Sequence, residues 1–268
     1  MSNLFGNLKE KTQNAEAAKD SLGGGGFGAK ETDIYTGNVK VAYVGKADSG
    51  ADWMQIIVED MKNSDGISAG EYRAQVYFTS GKEKGNKPTY EKNGKEYFLP
   101  GFTVINDMML LATGVELFDA DFEEKIVKVY DFDQKAEVNK SVMVPVDLIG
   151  QEITFALEKT IESKQSKGDD GKYYDNGETR EVNEIQKLFH PELKVTVIEA
   201  QEAEKAEKDL TPELAVFYAA WLEKNKGKTR DKTKGSAGGN GKGGLPPKPG
   251  AAGGSAPAGG GKSLFGKK

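Results

Sequence analysis

Cysteine is absent from the 268 residues. Its absence excludes a disulfide framework, a thiolate zinc site and a cysteine nucleophile. Histidine is almost absent. His190 stands alone, so a Ser-His-Asp triad has one candidate base and a multi-histidine metal site has none. Long apolar runs are also missing. The longest, Leu214–Leu222, falls far short of the ~20 residues that a membrane span needs. Met1–Leu22 has no apolar stretch of signal-peptide type, so a soluble, cytoplasmic protein is expected.

Glycine is abundant, yet no phosphate loop is built from it. Gly261-Lys262-Ser263 ends like a Walker A motif, but Ala256 stands where its first glycine belongs. The Gly23–Gly28 run has no Lys-Ser/Thr after it. Carboxylates crowd one stretch: Glu116, Asp119, Asp121, Glu123 and Glu124, with Asp131 and Asp133 nearby. Such a group could hold Mg²⁺ for nuclease chemistry. Its spacing matches no two-metal pattern, so a solvated acidic loop is the better reading. No cofactor or metal is expected, and no enzymatic activity.

The chain carries 37 basic and 42 acidic residues, a net charge of −5. The charge is divided unevenly. Residues 227–268 hold nine basic residues and one acid, or +8, which leaves −5 − 8 = −13 on the rest. The same segment has 14 Gly, four Pro and three large apolar residues (Leu245, Leu264, Phe265). It cannot bury enough surface to fold alone, so a disordered basic tail is expected. Residues 1–30 end in a glycine run and read as a flexible arm. A folded body at 31–200 and a helix at 201–226 lie between. Ser2-Asn3-Leu4-Phe5-Gly6 is echoed by Ser263-Leu264-Phe265-Gly266. The echo is short enough for chance, or marks a shared docking element.

The body is mainly β. Val39–Val44, Trp53–Met61, Glu71–Thr79, Ile126–Phe132, Val142–Val146, Ile153–Lys159 and Lys194–Glu199 read as strands. Met54, Ile56 and Val58 share one face of the second; Tyr72, Ala74, Val76 and Phe78 share one face of the third. Asn93-Gly94 marks a hairpin between Thr89–Lys92 and Lys95–Leu99. Asp65-Gly66, Asp170-Gly171 and Asn176-Gly177 read as turns. Phe102–Gly114 and Glu184–Phe189 read as helices. Thr211-Pro212-Glu213 opens a last helix on an N-cap and an N1 proline. Leu214, Phe217, Tyr218 and Trp221 form its apolar stripe, which makes Trp221 a core residue. Short strands, an inserted helix and a C-terminal helix fit a small closed barrel better than a parallel sheet.

Aromatic and basic residues interleave on these strands. Arg73 and Tyr77 occupy the face opposite Tyr72, Ala74 and Val76. Trp53 lies opposite Met54, Ile56 and Val58. Val127 and Val129 look inward, which turns Lys128 and Tyr130 outward. Lys82, Lys84, Lys87, Tyr90, Lys92, Lys95 and Tyr97 surround the hairpin, and Lys164, Lys167, Lys172, Tyr173 and Tyr174 follow later. Single-stranded nucleic acid needs this mixture, because aromatic faces stack on bases while Lys and Arg track phosphates.

The order of segments resembles the single-stranded DNA-binding proteins of tailed bacteriophages, particularly those of N4-like phages. The matching stretches are Gly37-Asn38-Val39 to Val44, Ala51-Asp52-Trp53, Asn93-Gly94-Lys95 and Leu99-Pro100-Gly101-Phe102. Further on they are Pro145-Val146-Asp147-Leu148-Ile149-Gly150 and Gly177 through Ile185. Together they span about residues 35–200. The resemblance implies an OB-fold that binds single-stranded DNA without turnover in phage replication and recombination, in the cytoplasm of the infected host. Many proteins of that kind end in an acidic tail; this tail is basic. The expected groove residues are Trp53, Arg73, Tyr77, Lys128 and Tyr130, with Lys82, Lys84, Lys87 and Lys95 on a loop that closes over the DNA. Leu264 and Phe265, flanked by Lys267 and Lys268, are the expected dock for a replication, recombination or host transcription protein. The alternatives are a nuclease using Asp119 or Asp121, and an adaptor that binds no nucleic acid.

Overall fold

The computed structural model describes residues 28–131, 136–170 and 172–233. Three antiparallel strands come first: β1 (Asp33–Lys46), β2 (Asp52–Asn63) and β3 (Ser68–Tyr77). Period-two alternation decides which way they face. Met54, Ile56 and Val58 are buried in the core, while Gln55 and Ile57 point the other way. Gly37 lets β1 pass close to its neighbour. Pairing slips there, and a Cβ on Gly37 would lie 2.7 Å from the Glu59 carbonyl oxygen.

After β3 comes a short 3-10 turn (Lys82–Lys84), then a separate hairpin of β4 (Thr89–Lys92) and β5 (Lys95–Phe98). Helix α1 (Pro100–Thr113) begins on a proline and stops at Gly114, whose φ of 77° suits a left-handed cap. It buries Phe102, Ile105, Met108 and Met109 against the sheet. Each such side chain contributes roughly 1.5–3 kcal/mol. β6 (Phe122–Asp131) and β7 (Ala136–Pro145) form a long hairpin that meets the end of β1 at Val44 and Met143. β8 (Glu152–Lys167) pairs with the start of β1 and with β9 (Tyr173–Phe189). Helices α2 (Val197–Lys205) and α3 (Val216–Asn225) follow. Trp221 of α3 packs with Ile34, Ala156 and Phe189 in a second, smaller core.

The molecule is mainly β, but its large sheet is not closed into a barrel. β3 pairs with β2 alone among the described residues. Other groups cover its free edge. The first turn of α1 presses so close that a Cβ on Gly101 would lie 1.9 Å from the Tyr77 carbonyl oxygen, and the Lys30 ammonium donates to the Ala69 carbonyl.

Several local expectations are corrected. Glu184–Phe189 is the end of β9, not a helix. Its helix-like spacing comes from a bulge at Gln186: Leu188 pairs with Phe155 and Ile185 with Leu157, so residues three apart share a face. Asn176-Gly177 sits within β9 at another slip in register, not at a hairpin turn. Lys194–Glu199 is not a strand. Thr196 and Glu199 form a reciprocal capping box that starts α2. The last helix begins at Val216, after a 3-10 turn at Pro212–Leu214. The segment expected as tail from 227 first contributes β10 (Thr229–Asp231), parallel to Lys159–Ile161 of β8.

Candidate nucleic-acid interface

The outer face of β1–β3 carries the residues of interest in register. Gly45, Trp53 and Tyr77 form one rung across the three strands; Tyr43, Gln55 and Gln75 form the next; Val41, Ile57 and Arg73 form the third. The Trp53 indole lies flat over Gly45. A Cβ there would fall 2.2 Å from Trp53 Cζ2. Tyr43 meets the indole edge-on, with centroids 5.8 Å apart. Tyr77 is 49% exposed, so its ring is available for stacking. Gln55 is held in place by donating to the Ala74 carbonyl at 3.0 Å.

Charge changes along this face. At one end Arg73 donates to Glu71 at 2.8 Å, and Lys40 bridges Glu59 and Glu71. Burial pushes the Glu71 carboxyl up, but Arg73 and Lys40 together pull it below its ordinary value. Burial raises the Tyr43 phenol, against the pull of the Arg73 guanidinium. These pairs anchor Arg73 beside the aromatic rungs. At the other end, beyond Trp53 and Tyr77, lies the lysine segment. Lys82, Lys84, Lys87, Lys92 and Lys95 are all exposed, and none has a carboxylate within 4 Å among the described residues. An exposed ammonium outside any ion pair can exchange its solution counterions for phosphates.

The lysine segment is not a loose flap. Lys82 N–H donates to the Ser49 carbonyl at 2.7 Å, Phe78 N–H donates to the Asp52 carbonyl, and Asp52 N–H donates to the Thr79 hydroxyl. The Lys82 stem lies across Gly50, where a Cβ would be 2.3 Å from Lys82 Cγ. The expected closing loop is therefore pinned to the β1–β2 turn, and Lys95 sits apart from it on the β4–β5 hairpin.

The structure brings together Trp53, Arg73 and Tyr77, with Lys82, Lys84 and Lys87 at the end of the same sheet. It separates Lys128. Lys128 lies on the Ile126 side of β6, the side shared with Met143, and Met143 pairs with the inward-facing Val44. Lys128 therefore points to the opposite side of the sheet from Trp53. The same register turns Lys125 and Lys140 toward the Trp53 side; Lys125 is paired with Glu123, and Lys140 is exposed with no ion pair among the described residues. Tyr130 pairs through its backbone with Glu137, and its side chain lies outside what is described. Leu264, Phe265, Lys267 and Lys268 also lie outside the described residues.

Tyr43, Gly45 and Lys140 were missed from sequence. Tyr43 and Lys140 carried the right residue types, but their faces depend on bulges and pairing. Nothing in the sequence marks Gly45 as the seat of an indole. His190 is a turn cap: its Nδ1 accepts from the backbone N–H groups of Glu192 and Leu193. The 116–124 carboxylates form no metal-holding group among the described residues. Compared with known proteins, the chain matches no family model, and no curated protein matches it significantly.

Proposed function

We propose that the protein binds single-stranded DNA across the outer face of β1, β2 and β3, with little sequence preference and no catalytic turnover. The observation that carries this reading is the Trp53–Tyr77 rung, flanked by Arg73 at one end and unpaired lysines at the other. Bases stack on the rings, and phosphates run toward Lys82, Lys84 and Lys87. The finer fold reading is an OB-like architecture. It is supported by a three-strand meander, a helix before the next strands, and functional residues on strands two and three. The resemblance to phage single-stranded DNA-binding proteins supports the same reading and implies a role in phage replication and recombination. Replication, recombination or host transcription proteins are the partner classes for the tail.

The test is tryptophan emission on titration with oligo-dT at several salt concentrations, using the Trp221→Phe variant so that Trp53 alone reports. A quench whose affinity falls with salt supports the reading. A silent Trp53 with no binding by filter retention refutes it and leaves the adaptor reading.

A further inference from the structure

An apolar cleft of about 450 Å³ opens on the inner side of the sheet, away from Trp53 and Tyr77. Val44, Phe78, Phe102, Phe118, Phe122 and Met143 line it. Phe118 is 65% exposed although its ring sits 4.9 Å from that of Phe102, and Met143 is 43% exposed. Ile126, 75% exposed, extends the patch along the Met143 side of the β6–β7 hairpin. Contiguous apolar surface of this kind marks an interaction site.

The charge around the cleft narrows the choice of occupant. Between its apolar residues stand Glu116, Asp119, Asp121 and Glu124, all exposed, with no Lys or Arg from 115 to 124. Glu123 is paired with Lys125, and Glu124 accepts from the Ser141 hydroxyl. Three carboxylates, on Glu116, Asp119 and Asp121, have no cation within 4 Å among the described residues. A phosphate backbone is repelled here. The matching ligand is apolar at its centre and cationic at its ends.

One segment of this chain has that chemistry. Lys262-Ser263-Leu264-Phe265-Gly266-Lys267-Lys268 holds two large apolar side chains, three lysines and no acid. Thirty residues separate Thr233 from Leu264, with a fully extended reach of about 100 Å. A 200-residue domain has a radius of gyration of roughly 16–17 Å. Reach is not limiting, and tethering sets a high effective concentration.

We propose that Leu264 and Phe265 dock in this cleft, of their own chain or of a second copy, with Lys262, Lys267 and Lys268 against the carboxylates of Glu116, Asp119 and Asp121. The far rim, Thr79 and Pro88, borders the lysine segment, so the cationic ends of the tail lie toward 116–121. Docking withdraws three lysines from other anions and covers the apolar patch. It does not depend on DNA binding.

The test uses the full chain with p-benzoylphenylalanine in place of Phe265, photolysed without DNA and mapped by mass spectrometry. Crosslinks concentrated on Met143 and residues 117–122 are expected. Phe118→Ala, an exposed site that the fold tolerates, should lower their yield by roughly tenfold. The triple variant Glu116→Gln, Asp119→Asn, Asp121→Asn should lower it comparably. Mixing isotope-labelled and unlabelled chains assigns each link to one chain or two, and either supports the proposal. Crosslinks absent from the cleft overturn it, as does a yield that neither variant changes. So does cleft labelling from a probe at Phe5 but not at position 265.

Discussion

The seat of the Trp53 indole gives the sharpest test of the interface. Gly45→Ala adds one methyl group beneath the ring. Gly45 is not among the positive-φ residues, so alanine fits the backbone. The effect is purely steric. The new Cβ would lie 2.2 Å from Cζ2 and 2.3 Å from Cη2, against ordinary carbon contacts of about 3.5–4.0 Å. The ring must lift by roughly 1.3–1.8 Å, and it then loses its edge-on contact with Tyr43, worth about 0.5–1.5 kcal/mol. Overpacking costs about 1–3 kcal/mol, and replacing a strand glycine returns about 0.5–1 kcal/mol. The protein should therefore stay folded and lose on the order of 0.5–4 kcal/mol in urea denaturation. Oligo-dT affinity should fall further, because a displaced indole no longer stacks beside Tyr77; a lost stack is worth ~1–3 kcal/mol, or about 5- to 150-fold. A double-mutant cycle with Trp53→Ala isolates the effect. In the Trp53→Ala background, Gly45→Ala should change DNA affinity little. If Gly45→Ala alone leaves affinity and Trp53 emission unchanged, the indole is not held as described. If Trp53→Ala also binds normally, the rung is not the interface.

Three further outcomes follow from the same geometry. Replacing Lys82, Lys84, Lys87 and Lys95 by Gln leaves no carboxylate unpaired and should flatten the log–log salt dependence of oligo-dT binding by about 3, at ~0.7 per phosphate contact. Lys140→Gln should lower that slope by about 0.7 while Lys128→Gln leaves it unchanged, because the two lysines occupy opposite sides of the β6–β7 hairpin. Asp107 of α1 has its carboxyl pushed up to about 6 by burial, against the pull of Lys187. The native state therefore holds this proton more tightly than the unfolded chain, so stability rises as pH falls from above 6 toward 4. Asp107→Asn should raise stability at pH 8 by on the order of 1–3 kcal/mol, read as a higher Tm, and leave it nearly unchanged near pH 4.

Elements governed by local chemistry were legible in the sequence. Alternation on β2 placed Met54, Ile56 and Val58 inward and Trp53 outward, and Gly114 ended α1. Where the chain departs from a regular period, legibility failed. The bulge at Gln186 gave a strand the i, i+3 spacing of a helix, because one inserted residue resets alternation. The β-branched run Val195–Ile198 hid a capping box whose Thr196 and Glu199 were in plain view. At the candidate site, the shared face of Trp53, Arg73 and Tyr77 is legible because each lies on a strand stretch with clean alternation. Lys128 was assigned to the wrong side of the sheet for a different reason. Its own parity was read correctly, opposite Val127 and Val129, but valines are buried on both sides of this sheet. Only the pairing of Val44 with Met143 fixes which side faces the main core.

That pairing also explains how an acidic body could hold an anionic ligand. The net charge of −13 outside residues 227–268 is a sum over the two sides of one sheet. On the outer side Glu59, Glu71 and Asp52 are paired with Lys40, Arg73 and Lys46, and in the 82–95 segment five lysines outnumber two glutamates, Glu83 and Glu91. On the inner side Glu116, Asp119 and Asp121, unpaired among the described residues, flank the apolar cleft, and Lys128 lies farther along β6. Interactions between exposed charges fade over about 8 Å at physiological salt. Each side therefore acts on what touches it, and the sum over the molecule acts on neither. On the two proposals, a ligand with phosphates meets one side and the lysine-bearing segment meets the other. The sign of the local unpaired charge, rather than the total, decides which ligand each surface can take.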